Sequence, residues 1–400
     1  MPATTRTLAK KSGFFKSKKS KIFIIIFVLI FVAVGAFVIY KSFASSGGSG
    51  SAHSCWVKTD TTLWCWGANN TGQLGLGDQN RRLKPTAVMT GVKKVALGNS
   101  HTCALKTNGE VWCWGDDTYG QVGSSSVSLY TTKPTLVYFS GSANVGVLDI
   151  TAGGNSNCAV IGSRYLWCWG QNNTGQLASA PGDTNDKYSP TPTPKLGGNV
   201  LSATLGDYHG CANKTDGSIF CWGDNTQGQL GIGSNTSKPG DPTQLFFNTK
   251  GLLAAGERHT CAIASDTAYL YCWGLNDNGQ LGIGNNTNQN KPVKVNNISV
   301  VGSLSAGYRS TCAGKIGGGM WCWGGNAFGQ LGINSTTNSN TPKPLFWTAL
   351  DSISMGNRHT CASRTDRSLW CWGDNSDGQL GIGSTTSTKM PTQLYFNTFQ

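Results

Sequence analysis

The chain has 400 residues, with 54 Gly, 14 Cys and 14 Trp but only 13% charged residues. So much Trp and so little charge exclude a disordered chain, the Gly has no collagen period, and Gly with abundant Trp disfavours a long helical protein. The net charge of +13 is concentrated at the N-terminus: residues 1–41 hold eight basic residues and no acid, leaving 24 basic and 19 acidic residues elsewhere. No basic stripe marks that remainder, so no nucleic-acid partner is expected.

In chain order, residues 1–21 read as a basic cytoplasmic tail. Ile22 to Tyr40 is an uncharged run of 19 residues. As a helix it would span roughly 28 Å, close to the hydrocarbon thickness of a bilayer. Seven cations precede it and one follows, which places residues 1–21 inside and everything after Lys41 outside. The reading is one N-terminal transmembrane helix, a signal anchor at 22–40. A cleaved signal peptide is the rival, with small residues at Ser42 and Ala44. Residues 41–52 read as a flexible Gly/Ser linker.

From residue 53 onward the chain repeats itself. Cys-Trp-Gly recurs at Cys65, Cys113, Cys168, Cys221, Cys272, Cys322 and Cys371, at steps of 48, 55, 53, 51, 50 and 49 residues. A GQLG-like tetrapeptide follows each one. Within a unit, VKKVAL, HTCAL, EVWCWG and KPTLVYF (between residues 92 and 139) read as four strands separated by turns. Four-stranded units at this period predict an all-β fold, a seven-bladed β-propeller over residues 53–400.

Each unit carries a second Cys before the first. The pairs are Cys55/Cys65, Cys103/Cys113, Cys158/Cys168, Cys211/Cys221, Cys261/Cys272, Cys312/Cys322 and Cys361/Cys371. Six are ten positions apart and Cys261/Cys272 eleven. Thr107-Asn108-Gly109 and Thr215-Asp216-Gly217 sit at hairpin midpoints, so the two Cys lie opposite each other, within disulfide reach. One pair per unit in an exported chain reads as seven bridges, each contributing roughly 2–3 kcal/mol in the chain-entropy account. Buried free thiols and a zinc site are the alternatives.

Residues 101–123 (HTCALKTNGEVWCWGDDTYGQVG) and 359–383 (HTCASRTDRSLWCWGDNSDGQLGIG) resemble the repeat of the regulator-of-chromosome-condensation propellers. The resemblance covers about residues 53–400. It implies a seven-bladed propeller that binds proteins through loops at its rims. Eukaryotic members of that family act as exchange factors for a nuclear small GTPase and bind chromatin, whereas secreted bacterial members include a β-lactamase inhibitor protein. Two expectations concern the first unit. Where the other units have an inner strand, it has only SSGGSG, so that strand either comes from this stretch or is absent. The chain also ends at YFNTFQ, where such a strand would begin.

All five His (His53, His101, His209, His259 and His359) lie two residues before the first Cys of a unit, and read as buried structural groups rather than a metal ring. The seven Trp of Cys-Trp-Gly, with the aromatic two residues earlier, read as inter-blade core. Asp183, Asn185 and Asp186 lack a full calcium pattern. GQLG lacks the Lys and Ser/Thr of a phosphate loop, and no cofactor is expected. Asn69-Asn70-Thr71 and Asn297-Ile298-Ser299 are sequons. No nucleophile–base set emerges, so an enzyme is not expected.

Function is then assigned to the two longer loops, 124–133 with Tyr130 and 179–194 with Tyr188, as candidate partner-binding residues. The predicted function is a membrane-anchored extracytoplasmic propeller that binds a protein partner or a surface glycan without turnover. The alternative is a cell-wall or carbohydrate-active hydrolase at the propeller axis, with Asp149 and Asp351 as its main acidic candidates.

Overall fold

A computed structural model describes residues 47–126, 128–139, 146–299 and 301–396. The apolar run Ile22–Tyr40 and the basic tail before it lie outside these residues. Among the described residues no helix is long and apolar enough to cross a membrane.

The first unit shows the plan. Strands β1 (Gly47–Ser49), β2 (His53–Val57), β3 (Leu63–Gly67) and β4 (Arg82–Met89) form one antiparallel sheet in that order. Four more sheets are built the same way. The sixth has seven strands, because Lys238–Ala255 is the outer strand of one unit and runs on as the inner strand of the next. The units follow one another around an axis lined by the inner strands.

β1 corrects the linker reading. Gly47, Gly48 and Ser49 pair with Trp56, Cys55 and Ser54. They belong to the propeller as its first inner strand, though half as long as the six-residue strand Val92–Leu97 of the next unit. Backbone pairing to β2 and the neighbouring units on either side hold a segment whose composition alone favours a coil.

The Cys hairpins form as the spacing predicts. Cys103 lies opposite Cys113 and Cys211 opposite Cys221. All seven pairs are disulfides, with Cα atoms 4.1–4.2 Å apart. Gly109 and Gly217 take the left-handed conformation at the turn (φ 88° and 89°), which matches a three-residue loop. In the fifth unit Ala268 closes a turn one residue longer and keeps Cys261 opposite Cys272.

The repeated motifs hold one unit to the next. The second Trp of each WCWG-type strand, such as Trp114, is fully buried. Its indole N–H donates to a backbone carbonyl of the preceding unit: Trp114 to Gln73 at 2.9 Å, Trp222 to Gln176 at 2.7 Å. That carbonyl belongs to the Gln of GQLG. A buried Asn clamps the same loop: Asn69 Oδ1 accepts from the Leu74 amide, and its Nδ2 donates to Asp78 and Asn80 carbonyls. Asn69, half of a sequon, is therefore a structural side chain. The last Gly of the motif, Gly75, has φ 75°, and a Cβ there would come within 2.7 Å of the Trp114 indole. Only Gly satisfies both conditions.

The ring closes through side chains and through the Gly383 amide, which donates to the Leu83 carbonyl at 2.8 Å. The Trp66 indole donates to the Gln379 carbonyl, and the Phe396 ring packs edge-on against Trp64 and Trp66.

Candidate functional site

Two ends of the ring present different chemistry. At one end, the loop face, lie the turns that follow the inner strands and the long GQLG loops. At the other, the hairpin face, lie the Cys-hairpin turns and the links between units.

The five His sit just below the loop face, all fully buried. His53 Nε2 is 2.9 Å from Thr102 Oγ1 of the next unit, and Thr102 donates its hydroxyl proton to the Gln73 carbonyl of the first unit. The threonine proton is thereby used, so His53 donates through Nε2–H. The same relay joins His209 to Thr260 and Gln229, and His259 to Thr311 and Gln280. In a variant of it, Asn157 replaces the hydroxyl beside His101. The third unit has Ser156 in place of His, and the unit after it has Gly210 in place of the hydroxyl. The sixth unit also has Ser310 in place of His, but there the next unit keeps the hydroxyl: Thr360 donates to the Gln330 carbonyl at 2.8 Å without a His beside it. Nδ1 of each ring is buried and has no hydrogen-bond partner. Burial pushes His53 and His259 down to about 3, and His209 and His359 to about 4. The rings are neutral stitches between units, as the sequence suggests.

Where the Gly-x-x-His turns meet at the axis, they form a polar mouth. Asp207 and Glu257, from adjacent units, lie side by side there. Burial, then the charge of Glu257, raises the Asp207 carboxyl to about 6, against hydrogen bonding from Asn99. Glu257 accepts from Arg309 Nε at 3.1 Å. Arg309 continues to Asp277 at 2.9 Å, and Arg258 pairs with Asp224 at 3.2 Å. Burial and the neighbouring Glu257 also raise the Tyr308 phenol.

This mouth was not found by sequence reasoning. Its signal is the position after the Gly that ends each inner strand, occupied by Asn99, Asp207, Glu257, Tyr308 and Asn357. Asp149 and Asp351, the acids expected at the axis, start inner strands at the opposite end, in non-adjacent units. Asp149 pairs with Lys94, and Asp351 accepts from Ser363. The cleft at the mouth has a volume of about 80 Å³. Pockets that enclose a drug-sized ligand run from roughly 300 to 1,000 Å³, well above this cleft.

Both candidate tyrosines lie on strands rather than in loops. Tyr130 begins the outer strand Tyr130–Leu136 and is exposed beside Leu129, which is 72% exposed. Tyr188 lies in the outer strand Lys187–Pro192 and is half-buried; its carbonyl accepts from the Ser125 amide, and its ring lies over Gly120 of the preceding unit. Outer edges tolerate the prolines that made this stretch read as a loop. The structure thus brings the two longer loops together. Asp183 is occupied by Lys187 and Ser179, and Asp186 accepts from the Asn172 amide. Among the described residues no group of three or more His, Cys, Asp or Glu is arranged to hold a metal.

Comparison with known proteins matches this architecture. The pattern described as Regulator of chromosome condensation (RCC1) repeat matches seven segments: residues 60–105, 108–160, 165–212, 216–263, 269–313, 317–363 and 366–399. Each of the first six segments runs from the third strand of one unit into the Cys hairpin of the next. The ultraviolet-B receptor of Arabidopsis thaliana is 30% identical over 262 residues, 64% of this chain and 58% of that protein. Human HERC4, a probable E3 ubiquitin-protein ligase, is 28% identical over 62% of this chain and 19% of its own length. The match therefore spans less than two thirds of either relative. Among solved structures, human WBSCR16 superposes with a TM-score of 0.75 at 19% identity, covering 84% of this chain and 95% of that one. Prp20p of Saccharomyces cerevisiae gives 0.73 at 21%, covering 90% and 89%. These two likenesses concern the fold.

Proposed function

The chain belongs to the Regulator of chromosome condensation (RCC1) repeat family, and we propose that it is a membrane-anchored extracytoplasmic propeller that binds a protein partner on its rim without catalysis. Residues 1–21 stay inside, 22–40 span the membrane, and the propeller lies outside. Seven disulfides suit an oxidising compartment. Yeast RCC1 (Prp20), alike in fold, is described bound to Kap60 and with binding properties towards Gsp1p and histones.

The observation that carries protein binding is the exposed apolar pair on the rim. Leu129 and Tyr130 stand on the outer rim of the loop face, while the cleft at the axis is small, about 80 Å³. An apolar pair on a rigid edge strand fits a protein surface better than a polar glycan.

The test is a photo-crosslinking residue placed at position 129 or 130 of the full chain in intact cells. Discrete protein adducts at these positions, absent with the crosslinker at Lys343, support the reading. Equal labelling at all three positions refutes it. Protease added outside intact cells should release a fragment close to the size of the propeller; protection of the propeller refutes the orientation.

A further inference from the structure

The hairpin face has a surface chemistry that neither the fold nor rim binding requires. Nine of the twelve exposed large hydrophobic side chains among the described residues lie at this end. Four of them share one repeat position. Outer strands contain, or are followed within two residues by, a pair of adjacent aromatics: Tyr138-Phe139, Phe246-Phe247, Phe346-Trp347 and Tyr395-Phe396. The second ring of each pair packs on the aromatics of the next unit: Phe139 on Trp169 at 5.9 Å, Phe247 on Trp273 at 6.0 Å, and Trp347 on Trp372 at 5.8 Å. Phe396 packs on Trp66 in the same way, at 6.4 Å. The first ring of each pair stands away from that core, Tyr138 at 51% exposure. Phe246 and Phe346 are fully exposed and Tyr395 is 73% exposed. A soluble surface does not gather such side chains without a use for them.

Cations stand among these rings at a second repeat position. Three residues after the first Cys of five units come Lys58, Lys106, Lys214, Lys315 and Arg364. They begin the hairpin turns. Lys214 Nζ lies 4.8 Å from the Phe220 ring centroid, Lys58 Nζ 5.2 Å from that of Trp64, and the Arg364 guanidinium 4.9 Å from that of Trp370. Their stems cover apolar surface, and an acid of the same turn faces four of them: Asp60 beside Lys58 at 3.8 Å, Glu110 beside Lys106, Asp216 beside Lys214 and Asp366 beside Arg364. Aromatic rings interleaved with long cations are the composition of a membrane–water interface.

The path of the chain fixes the occupant. Each inner strand runs from the hairpin face to the loop face; Gly47, opposite Trp56, stands at the register of Val95 in the next unit, three residues (roughly 10 Å) short of the hairpin end at Val92, so the chain enters β1 from the hairpin side. Six residues separate Gly47 from Tyr40. Fully extended, they reach roughly 20 Å. We propose that the hairpin face rests on the outer surface of the bilayer, its aromatics among the lipid headgroups and its repeat-position cations on lipid phosphates. This inference rests on the anchor reading of residues 22–40. It leaves the loop face, with Leu129 and Tyr130, turned outward.

The experiment uses the full chain in vesicles of phosphatidylcholine with a minority of phosphatidylglycerol, doped with a nitroxide-labelled lipid. The native cysteines are all bridged, so an added thiol takes a fluorophore alone. Ile316→Cys labels the hairpin face, and Leu129→Cys the loop face. The label at 316 should be quenched at least about two-fold more than that at 129. The combined change Phe246→Ser, Phe346→Ser and Tyr395→Ser should abolish the difference and leave the thermal transition in place. If the chain resists alkaline extraction from the vesicles but both labels are quenched equally, the docked face is refuted while the anchor stands. An unquenched 316 label on an anchored chain means the same, and frees this face for a protein. If the chain is extracted by alkali, the anchor reading fails and the proposal falls with it.

Discussion

Ser54 and His359 are 305 residues apart in the chain, yet Ser54 Oγ lies 2.7 Å from His359 Nε2. The serine passes its own proton to the Gln379 carbonyl at 2.9 Å. This is the relay that joins His53 to Thr102 and His209 to Thr260, here made between the last unit and the first. The ring is thus sealed by the contact that joins its interior units, and among the described residues no strand is shared between the termini.

Ser54→Ala should open that seam. It leaves a buried imidazole N–H without an acceptor, a loss of about 1–3 kcal/mol. The denaturant midpoint should fall, and hydrogen exchange should quicken first in the hairpin Cys55–Cys65, whose inner strand is only three residues long. Unchanged exchange there, with the hairpin Cys211–Cys221 opening as readily, would mean that the seam is no weaker than any other junction.

The Trp–carbonyl contacts are not equivalent. The Gln229 carbonyl accepts from both Trp273 and Thr260. At the matching place Gly210 provides no hydroxyl, and among the described hydrogen bonds the Gln176 carbonyl accepts from Trp222. Trp222→Phe should therefore destabilise more than Trp273→Phe, by about 1 kcal/mol. Equilibrium unfolding of the two variants decides it; equal losses would remove the carbonyl from the account.

Acid should weaken the ring before it breaks any disulfide. Burial lowers the His rings to about 3 or 4 in the folded state for His53, His209, His259 and His359. The unfolded chain, with ordinary His near 6.5, then binds more protons below that pH. Their contribution is complete above about pH 6.5 and is lost progressively as pH falls towards the folded values. The melting temperature should decline over this window. Replacing Thr260 by Val removes the hydroxyl but keeps the bulk, and should cost stability even at pH 7.5.

Asp207 acts with the opposite sign. Its folded value of about 6 lies above the usual carboxylate range, so between roughly pH 4 and 6 the folded state holds the extra proton and stability falls as pH rises. Asp207→Asn should stabilise the protein at pH 7.5 by about 1–3 kcal/mol, with the advantage gone near pH 3.5. A variant less stable at pH 7.5 would show that the ionised carboxylate is needed at the mouth, next to Arg258 and Arg309.

The architecture was legible in the sequence because its determinants are local. Cys spacing, Gly-closed hairpin turns, alternating aromatics and a period near 51 residues each act within a few positions, so one unit predicts the next. The burial of the His and of the second Trp followed from that same repetition. Other features come from residues whose neighbours lie a whole unit away. Gly47–Ser49 has no strand propensity of its own and becomes a strand because β2 and two adjacent units hold it. Asp207 and Glu257 are 50 residues apart and form a pair only because the turns of successive units converge on one axis. Tyr130 and Tyr188 left the loops because outer strands accept proline and polar residues that an interior strand would reject. The exposed ring of each aromatic pair is a different case. Its neighbour takes the core position on the next unit, and the ring beside it is left outside. Composition shows two aromatics in every such pair; only the stacking of units decides which of them the core uses.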